Sequence, residues 1–251
     1  MADILVVEGR GDRVVARLNR PEVRNALDAQ MVGRLHELCD ALERDPKLLI
    51  LAGGDGFFAA GADIAELRRR GRDEALAGIN STVFERIRRL PLPTVAAVDG
   101  YALGGGAELA YACDLRVAST RARFGQPEPG LGIIAGAGSC WRLRELVGEG
   151  LAKEMLLAGR WLDASEALAA HLVCEVVEPE ALLDAAHRLV DKMAASSALA
   201  LRLTKLAVDA DPRAHPVVDH LAQAVAFESP DKARRMDAFL SRRQAKEGSR
   251  P

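Results

Sequence analysis

The chain has 251 residues, of which 49% are hydrophobic and 28% charged, and its formal net charge is −2. That balance describes an ordinary soluble globular protein, long enough for one large domain or one domain with an appendage. It gives no electrostatic reason to expect nucleic acid or a membrane as partner, and an aromatic content of 4% is poor for base stacking.

The start, Met1 to Val7, has no basic region ahead of its short apolar run, so it does not read as a signal peptide. Ile4 to Glu8 and Arg13 to Leu18 read as two strands joined by a turn at Gly9-Arg10-Gly11-Asp12, and Asn19 to Asn25 as a loop. A helix is expected from Asp28 to Arg44, N-capped by Asp28, with Met31, Leu35, Leu38 and Leu42 at helical spacing. Leu48 to Ala52 is a short apolar strand, followed by the loop Gly53-Gly54-Asp55-Gly56; Phe57 to Ala62 then leads into a helix near Asp63. One helix is expected over Asp73 to Leu90, ended by Pro91 and Pro93, and then a strand over Thr94 to Asp99. The triple glycine Gly104-Gly105-Gly106 opens a short helix, Leu109 to Cys113, and Leu115 to Ala118 is the next strand.

Residues 119 to 140 read as a long irregular stretch of the kind that often carries function. Helices are expected at about 140–147, 149–158, 164–170 and 179–195, with a strand at Val173 to Val177. Beyond Ala198 strand signals vanish, and helices at 198–209, 214–227 and 230–243 precede a polar, frayed tail from Gln244 to Pro251. The chain therefore divides into a mixed α/β body, 1–195, and an all-helical end, 196–251. No window reaches the ~18 uninterrupted apolar residues that a membrane span needs.

The four cysteines, Cys39, Cys113, Cys140 and Cys174, are widely spaced among apolar neighbours, which predicts buried free thiols in a reducing cytoplasm. The histidines show no metal-ligand spacing, and neither H-E-x-x-H nor G-x-S-x-G occurs, so metal hydrolysis and a serine triad lack support. The arginine clusters at 68–72 and 86–89 read as solvated faces or, alternatively, as contacts to a phosphate-rich ligand.

Gly104-Gly105-Gly106-Ala107-Glu108 carries the most chemistry. Glycines let another molecule approach the backbone, and a helix N-terminus offers unpaired N–H groups and a partial positive charge. An oxyanion hole, close helix packing and a nucleotide turn all remain open on that basis, although the dinucleotide fingerprint is incomplete and no P-loop occurs. In Ala60-Gly61-Ala62-Asp63 the aspartate reads as an N-cap, or the Ala62 amide points into a site and supplies a second anion donor. Glu108 either complements its helix dipole or acts in catalysis. Glu128, held in an extended segment by Pro127 and Pro129, is either a solvated loop residue or a second catalytic carboxylate. Two such glutamates sharing a water suit acid–base work on a carbonyl compound.

Five colinear segments resemble the crotonase (enoyl-CoA hydratase/isomerase) superfamily, and most nearly its enoyl-CoA hydratases. They are Asn19-Arg20-Pro21 through Arg24-Asn25-Ala26-Leu27, Ala60 to Ile64, Asp99 to Leu109 with Cys113-Asp114, Phe124 to Glu128, and Leu131 to Ile134 with Gly136-Ala137-Gly138. The resemblance implies a spiral of strand–strand–helix (ββα) units with a helical C-terminal trimerisation region, often stacked as a hexamer. It implies that the Ala62 and Gly105 amides hold a thioester oxygen and that Glu108 and Glu128 are the catalytic pair. It assigns Arg24, Ala26 and Leu27, Ala60, Gly61, Asp63 and Ile64, Tyr101, Leu103 and Gly104, and Pro127, Leu131 and Gly136 to substrate and CoA contacts. Phe239 matches the C-terminal pattern that touches CoA from a neighbouring subunit. No metal and no cofactor beyond the substrate's own CoA are implied. The expected reaction is hydration of a trans-2-enoyl-CoA; the alternatives are another reaction through a thioester enolate (isomerisation or C–C cleavage) and a non-catalytic acyl-CoA binder. The chain departs from the pattern at Ala135, where hydratases usually show proline, and at Ser139-Cys140-Trp141-Arg142, where the bulk of Trp141 bears on the acyl end of the pocket.

Overall fold

Leu5–Arg10 (β1) and Arg13–Leu18 (β2) pair antiparallel through a tight turn at Gly11, whose φ of +59° suits glycine. The computed structural model describes residues 3–54 and 56–247. Leu48–Ala52 (β3) lies parallel to β2 and is buried along its whole length, as its unbroken apolar run requires of a strand covered on both faces. After β3 the chain turns a short corner into Phe57–Ala59 (β4), which belongs to a different sheet. The same step recurs from Thr94–Val98 (β5) to Tyr101–Leu103 (β6), and from Leu115–Ser119 (β7) to Arg123–Gly125 (β8). Leu162–Asp163 (β9) and Glu175–Val177 (β10) complete the strands.

The large sheet has the order β1-β2-β3-β5-β7-β10 and the small one β4-β6-β8-β9. All pairs are parallel except β1–β2 and β8–β9. The first two strand–corner–strand steps are each followed by helix that returns the chain to the large sheet, and the third by two helices that lead to β9 of the small sheet and then a further helix to β10 of the large one, which gives the expected spiral of ββα units.

The helix Ala29–Arg44 begins as expected: the Asp28 carboxylate accepts from the Met31 N–H at 2.8 Å, and Met31, Leu35, Leu38 and Leu42 face inward. The expected helix over 73–90 is two helices, Arg72–Ala77 and Ile79–Arg88, because Gly78 between them adopts a φ of +62°. The helix after β6 begins at Gly105, not Leu109, and runs to Ala112. The stretch 119–140 is more ordered than its composition indicates, containing β8 and a 3-10 turn, Glu128–Leu131. Glu128 therefore is not in an extended segment; the turn closes through Gly130 N–H to Pro127 and Ile133 N–H to Glu128, with Gly132 at φ +75°. Proline is tolerated there because the first residues of a helical turn donate no intrahelical bond.

The expected burial of all four thiols holds for Cys39 and Cys113 only; Cys140 and Cys174 are exposed, and none of the four is in a disulfide among the described residues. Cys140 lies one position after buried Ser139 on its helix, about 100° round from it, and Cys174 sits just before the edge strand β10.

The chain divides into two compact units, Met1–Asp191 and Lys192–Pro251. The second holds the helices Ala198–Val208, Val217–Phe227 and Pro230–Glu247. The last helix continues past Arg243 to Glu247, so the expected frayed tail is helical that far; residues 248–251 lie outside the described residues.

Candidate active site

The loop after β4 is zipped to the segment after β2. Ala60 N–H donates to the Arg24 carbonyl (3.0 Å), Leu27 N–H to the Gly61 carbonyl (2.8 Å) and Asp63 N–H to the Leu27 carbonyl (3.0 Å). In this parallel bridge Leu27 engages the residues on either side of Ala62, so the Ala62 N–H faces the other way. Buried Asn25 clamps the arrangement by donating to the Phe57 carbonyl at 2.9 Å. Gly61, at φ +112°, makes the turn.

On the opposite side, the Gly104 N–H donates to the Gly125 carbonyl (2.9 Å), and its own carbonyl accepts from Glu108 (2.9 Å), which starts the helix Gly105–Ala112. Gly105 is the first helical residue, so its N–H has no intrahelical acceptor. Gly106 lets this helix end abut β4: a Cβ there would lie 2.2 Å from the Ala59 carbonyl oxygen. A Cβ on Gly105 would stand 3.4 Å from the Ala62 nitrogen. Two backbone donors, 43 positions apart in the sequence, thus flank one small space at a helix N-terminus.

Both glutamates border that space. Glu108 is 4% exposed, and its Oε1 accepts from the Ala137 (2.9 Å) and Ser139 (3.0 Å) amides. Buried Gln126 ties the same loop together by donating to the Ser139 hydroxyl at 2.7 Å. Burial pushes the Glu108 carboxyl up to about 7; the two backbone donors oppose the shift and the neighbouring Glu128 charge adds to it. Glu128 is 8% exposed, its Oε2 has no hydrogen-bond partner among the described residues, and burial raises its carboxyl too. Its carboxylate sits where Gly104 has no side chain.

A cavity of about 530 Å³ opens here. Ala60, Gly61, Ala62, Ile64, Gly104, Gly105, Glu108, Pro127, Glu128, Leu131 and Gly136 all line it, so most of the sequence-derived site converges. The remainder lie elsewhere. Asp63 N-caps the helix Ile64–Leu67, accepting from Glu66 N–H at 3.0 Å. Leu27 is wholly in the core, Leu103 is half-buried, and Ala26 is held beside the zipped backbone. Arg24 is exposed, its guanidinium 5.4 Å above the Phe57 ring, which stacks in turn on Tyr101 at 5.5 Å. Phe239 is 61% exposed in the second unit. The sequence reading placed Asn25 only within the Arg24-Asn25-Ala26-Leu27 segment and not as a clamp, and it missed the Ala137 and Ser139 amides and Asn80, which lines the cavity; Asn80 sits in a polar helix stretch that carries no signal.

A second cavity, of about 630 Å³, shares Ser81, Glu108, Gly136 and Ala137 with the first. Trp141 lines only this second one, with the Arg88 guanidinium 5.5 Å above its ring. The arginines at 86–89 are ion-paired: Arg86 to Asp40 and Glu43, Arg88 and Arg89 to Glu85. Among the described residues no cluster suited to a metal ion occurs, and no helix is long and apolar enough to cross a membrane.

The Glu108 shift has a consequence for stability. In the unfolded chain this carboxyl titrates near 4.5, whereas the folded protein keeps its proton up to about 7. Stability therefore falls as pH rises through that window, by on the order of 3 kcal/mol. Glu108→Gln removes the titration. Its melting temperature relative to the unaltered protein is expected to gain roughly 5 °C or more between pH 4.5 and 7.5; a difference that stays flat across that range overturns the assignment.

A family model described as enoyl-CoA hydratase/isomerase matches residues 12–248. The chain is 37% identical to a short-chain-enoyl-CoA hydratase of Clostridium acetobutylicum, over 96% of this chain and 95% of that protein. It is 38% identical to a crotonyl-CoA hydratase of Syntrophomonas wolfei, over 96% of each. The crystal structure of an enoyl-CoA hydratase from Bacillus anthracis superposes with a TM-score of 0.90 at 31% identity, covering 96% of this chain and 97% of that one.

Proposed function

Since the chain belongs to the enoyl-CoA hydratase/isomerase family, we propose that it adds water across the double bond of a trans-2-enoyl-CoA to give a 3-hydroxyacyl-CoA, and catalyses the reverse. The observation that carries this reading is two backbone amides and two buried carboxyl groups bordering one cavity. The Ala62 and Gly105 N–H groups take the thioester oxygen, on which charge builds as an enolate when water attacks C3. One such donor is worth roughly 3–4 kcal/mol in comparable sites. The glutamates hold the water and share a proton. One carboxylate accepts a proton from the attacking water, whose oxygen bonds to C3, and Glu128 delivers a proton to C2. Burial raises both carboxyls, which favours keeping one proton on the pair near neutral pH.

In this reading the CoA portion runs past Arg24, Ala26, Ala60, Gly61 and Ile64, with Gly104, Pro127, Leu131 and Gly136 about the acyl thioester, while Leu27, Asp63, Tyr101 and Leu103 back these segments without lining the cavity. It needs no metal and no cofactor besides that CoA. It includes a homotrimer or a stacked hexamer, supported by the exposed Leu206, Val217, Leu221 and Phe227 of the second unit, with Phe239 reaching a neighbour's CoA. It also includes a cytoplasmic setting, supported by four cysteines that form no disulfide among the described residues.

The test is a panel of trans-2-enoyl-CoA substrates from C4 to C16, followed by loss of enoyl-thioester absorbance, with the mass in solution measured on the same preparation. Hydration by a trimer or hexamer is expected. Turnover of 3-enoyl-CoA alone would assign isomerisation; tight acyl-CoA binding without turnover would assign a binder; a monomer would remove the assembly.

A further inference from the structure

Asn80 is the second residue of the helix Ile79–Arg88, which restarts after the left-handed Gly78. Its side chain lines the cavity of the two amides. The Nδ2 atom lies 3.6 Å from the point where a Cβ on Gly105 would stand, and that point is 3.4 Å from the Ala62 nitrogen. A side-chain donor therefore faces the space that the two backbone donors flank.

The orientation of the amide follows from its other neighbour. Arg70 Nη1 donates to Asn80 Oδ1 at 3.4 Å. Arginine has only donors, so the carboxamide oxygen must turn toward it and the NH₂ group toward the cavity. Arg70 is itself held by Glu66, whose Oε2 is 3.4 Å from Nη2 and also accepts from the Ala29 N–H at 3.0 Å. Among the described residues no acceptor takes either N–H of Asn80. The guanidinium behind the carbonyl polarises the amide and strengthens it as a donor.

We propose that Asn80 is a third donor to the thioester oxygen, acting beside the Ala62 and Gly105 amides. This rests on the hydratase reading for its substrate. Its contribution grows as the oxygen acquires enolate charge, so it belongs mainly to kcat. A purely structural asparagine would instead serve only to hold Arg70.

Two substitutions separate these roles. Asn80→Ala is expected to lower kcat for crotonyl-CoA hydration by about 10-fold with KM within about threefold. The red shift of a bound conjugated dienoyl-CoA, which reports polarisation of its carbonyl, should shrink. Asn80→Asp would pair better with Arg70, so a structural role predicts normal activity. A donor role predicts a larger loss than for alanine, about 10²-fold, because an acceptor would then face the developing anion. Full kcat in Asn80→Asp, or an unchanged carbonyl band in Asn80→Ala, overturns the proposal. If the unaltered protein turns over no enoyl-CoA, the hydratase reading falls, while the band shift in Asn80→Ala still decides whether Asn80 contacts the thioester.

Discussion

Glu128→Gln is expected to lower kcat for enoyl-CoA hydration by at least ~10²-fold while leaving KM nearly unchanged. Glutamine keeps the volume and one acceptor oxygen but cannot deliver a proton to C2. The acyl-CoA should still bind, because its carbonyl is held by backbone N–H groups that the change leaves in place. The fold should survive as well. Glu128 Oε2 is buried without a partner among the described residues, so no hydrogen bond is broken there, and a neutral side chain removes the burial penalty on its charge. A melting temperature at or above that of the unaltered protein, together with collapsed turnover, is the expected pair of results. Near-normal hydration of crotonyl-CoA and longer substrates by this variant would remove Glu128 from the chemistry.

The sequence made the chemical elements of this site legible because each sits at a chain punctuation mark. Gly104-Gly105-Gly106 marks a strand-to-helix junction, and Ala60-Gly61-Ala62 marks another, with Asp63 capping the helix that follows. The small sheet that brings them together was not legible as a sheet. Its strands are two or three residues long, too short to show a period of two. The proline pair around Glu128 pointed to extended backbone, yet tertiary closure of the 127–133 turn overrode that local preference. Asn80 was invisible for another reason. Its importance comes from Gly78 breaking a helix that periodicity alone would continue, which turns a polar helical residue toward the cavity.

Gly104→Ala should lower kcat by about 10²-fold and also destabilise the protein, by on the order of 1–3 kcal/mol. Gly104 holds a φ of +50° and a ψ of −126°, a conformation that a Cβ makes costly. The backbone has little room to relax, since the Gly104 N–H is bonded to Gly125 and its carbonyl to the Glu108 N–H. The added methyl would stand 2.5 Å from Glu128 Oε1 and 3.2 Å from its Cδ. A carboxylate at the end of a flexible side chain yields before the main chain does, so Glu128 is displaced by roughly 1 Å and the proton it carries no longer meets C2. The double variant tells this displacement apart from general damage. With Glu128→Gln already in place, Gly104→Ala should cost little further activity, because the group it moves no longer transfers a proton. If instead the two losses multiply, or if Gly104→Ala alone keeps full turnover, then the empty space at Gly104 is not what seats the Glu128 carboxylate for catalysis.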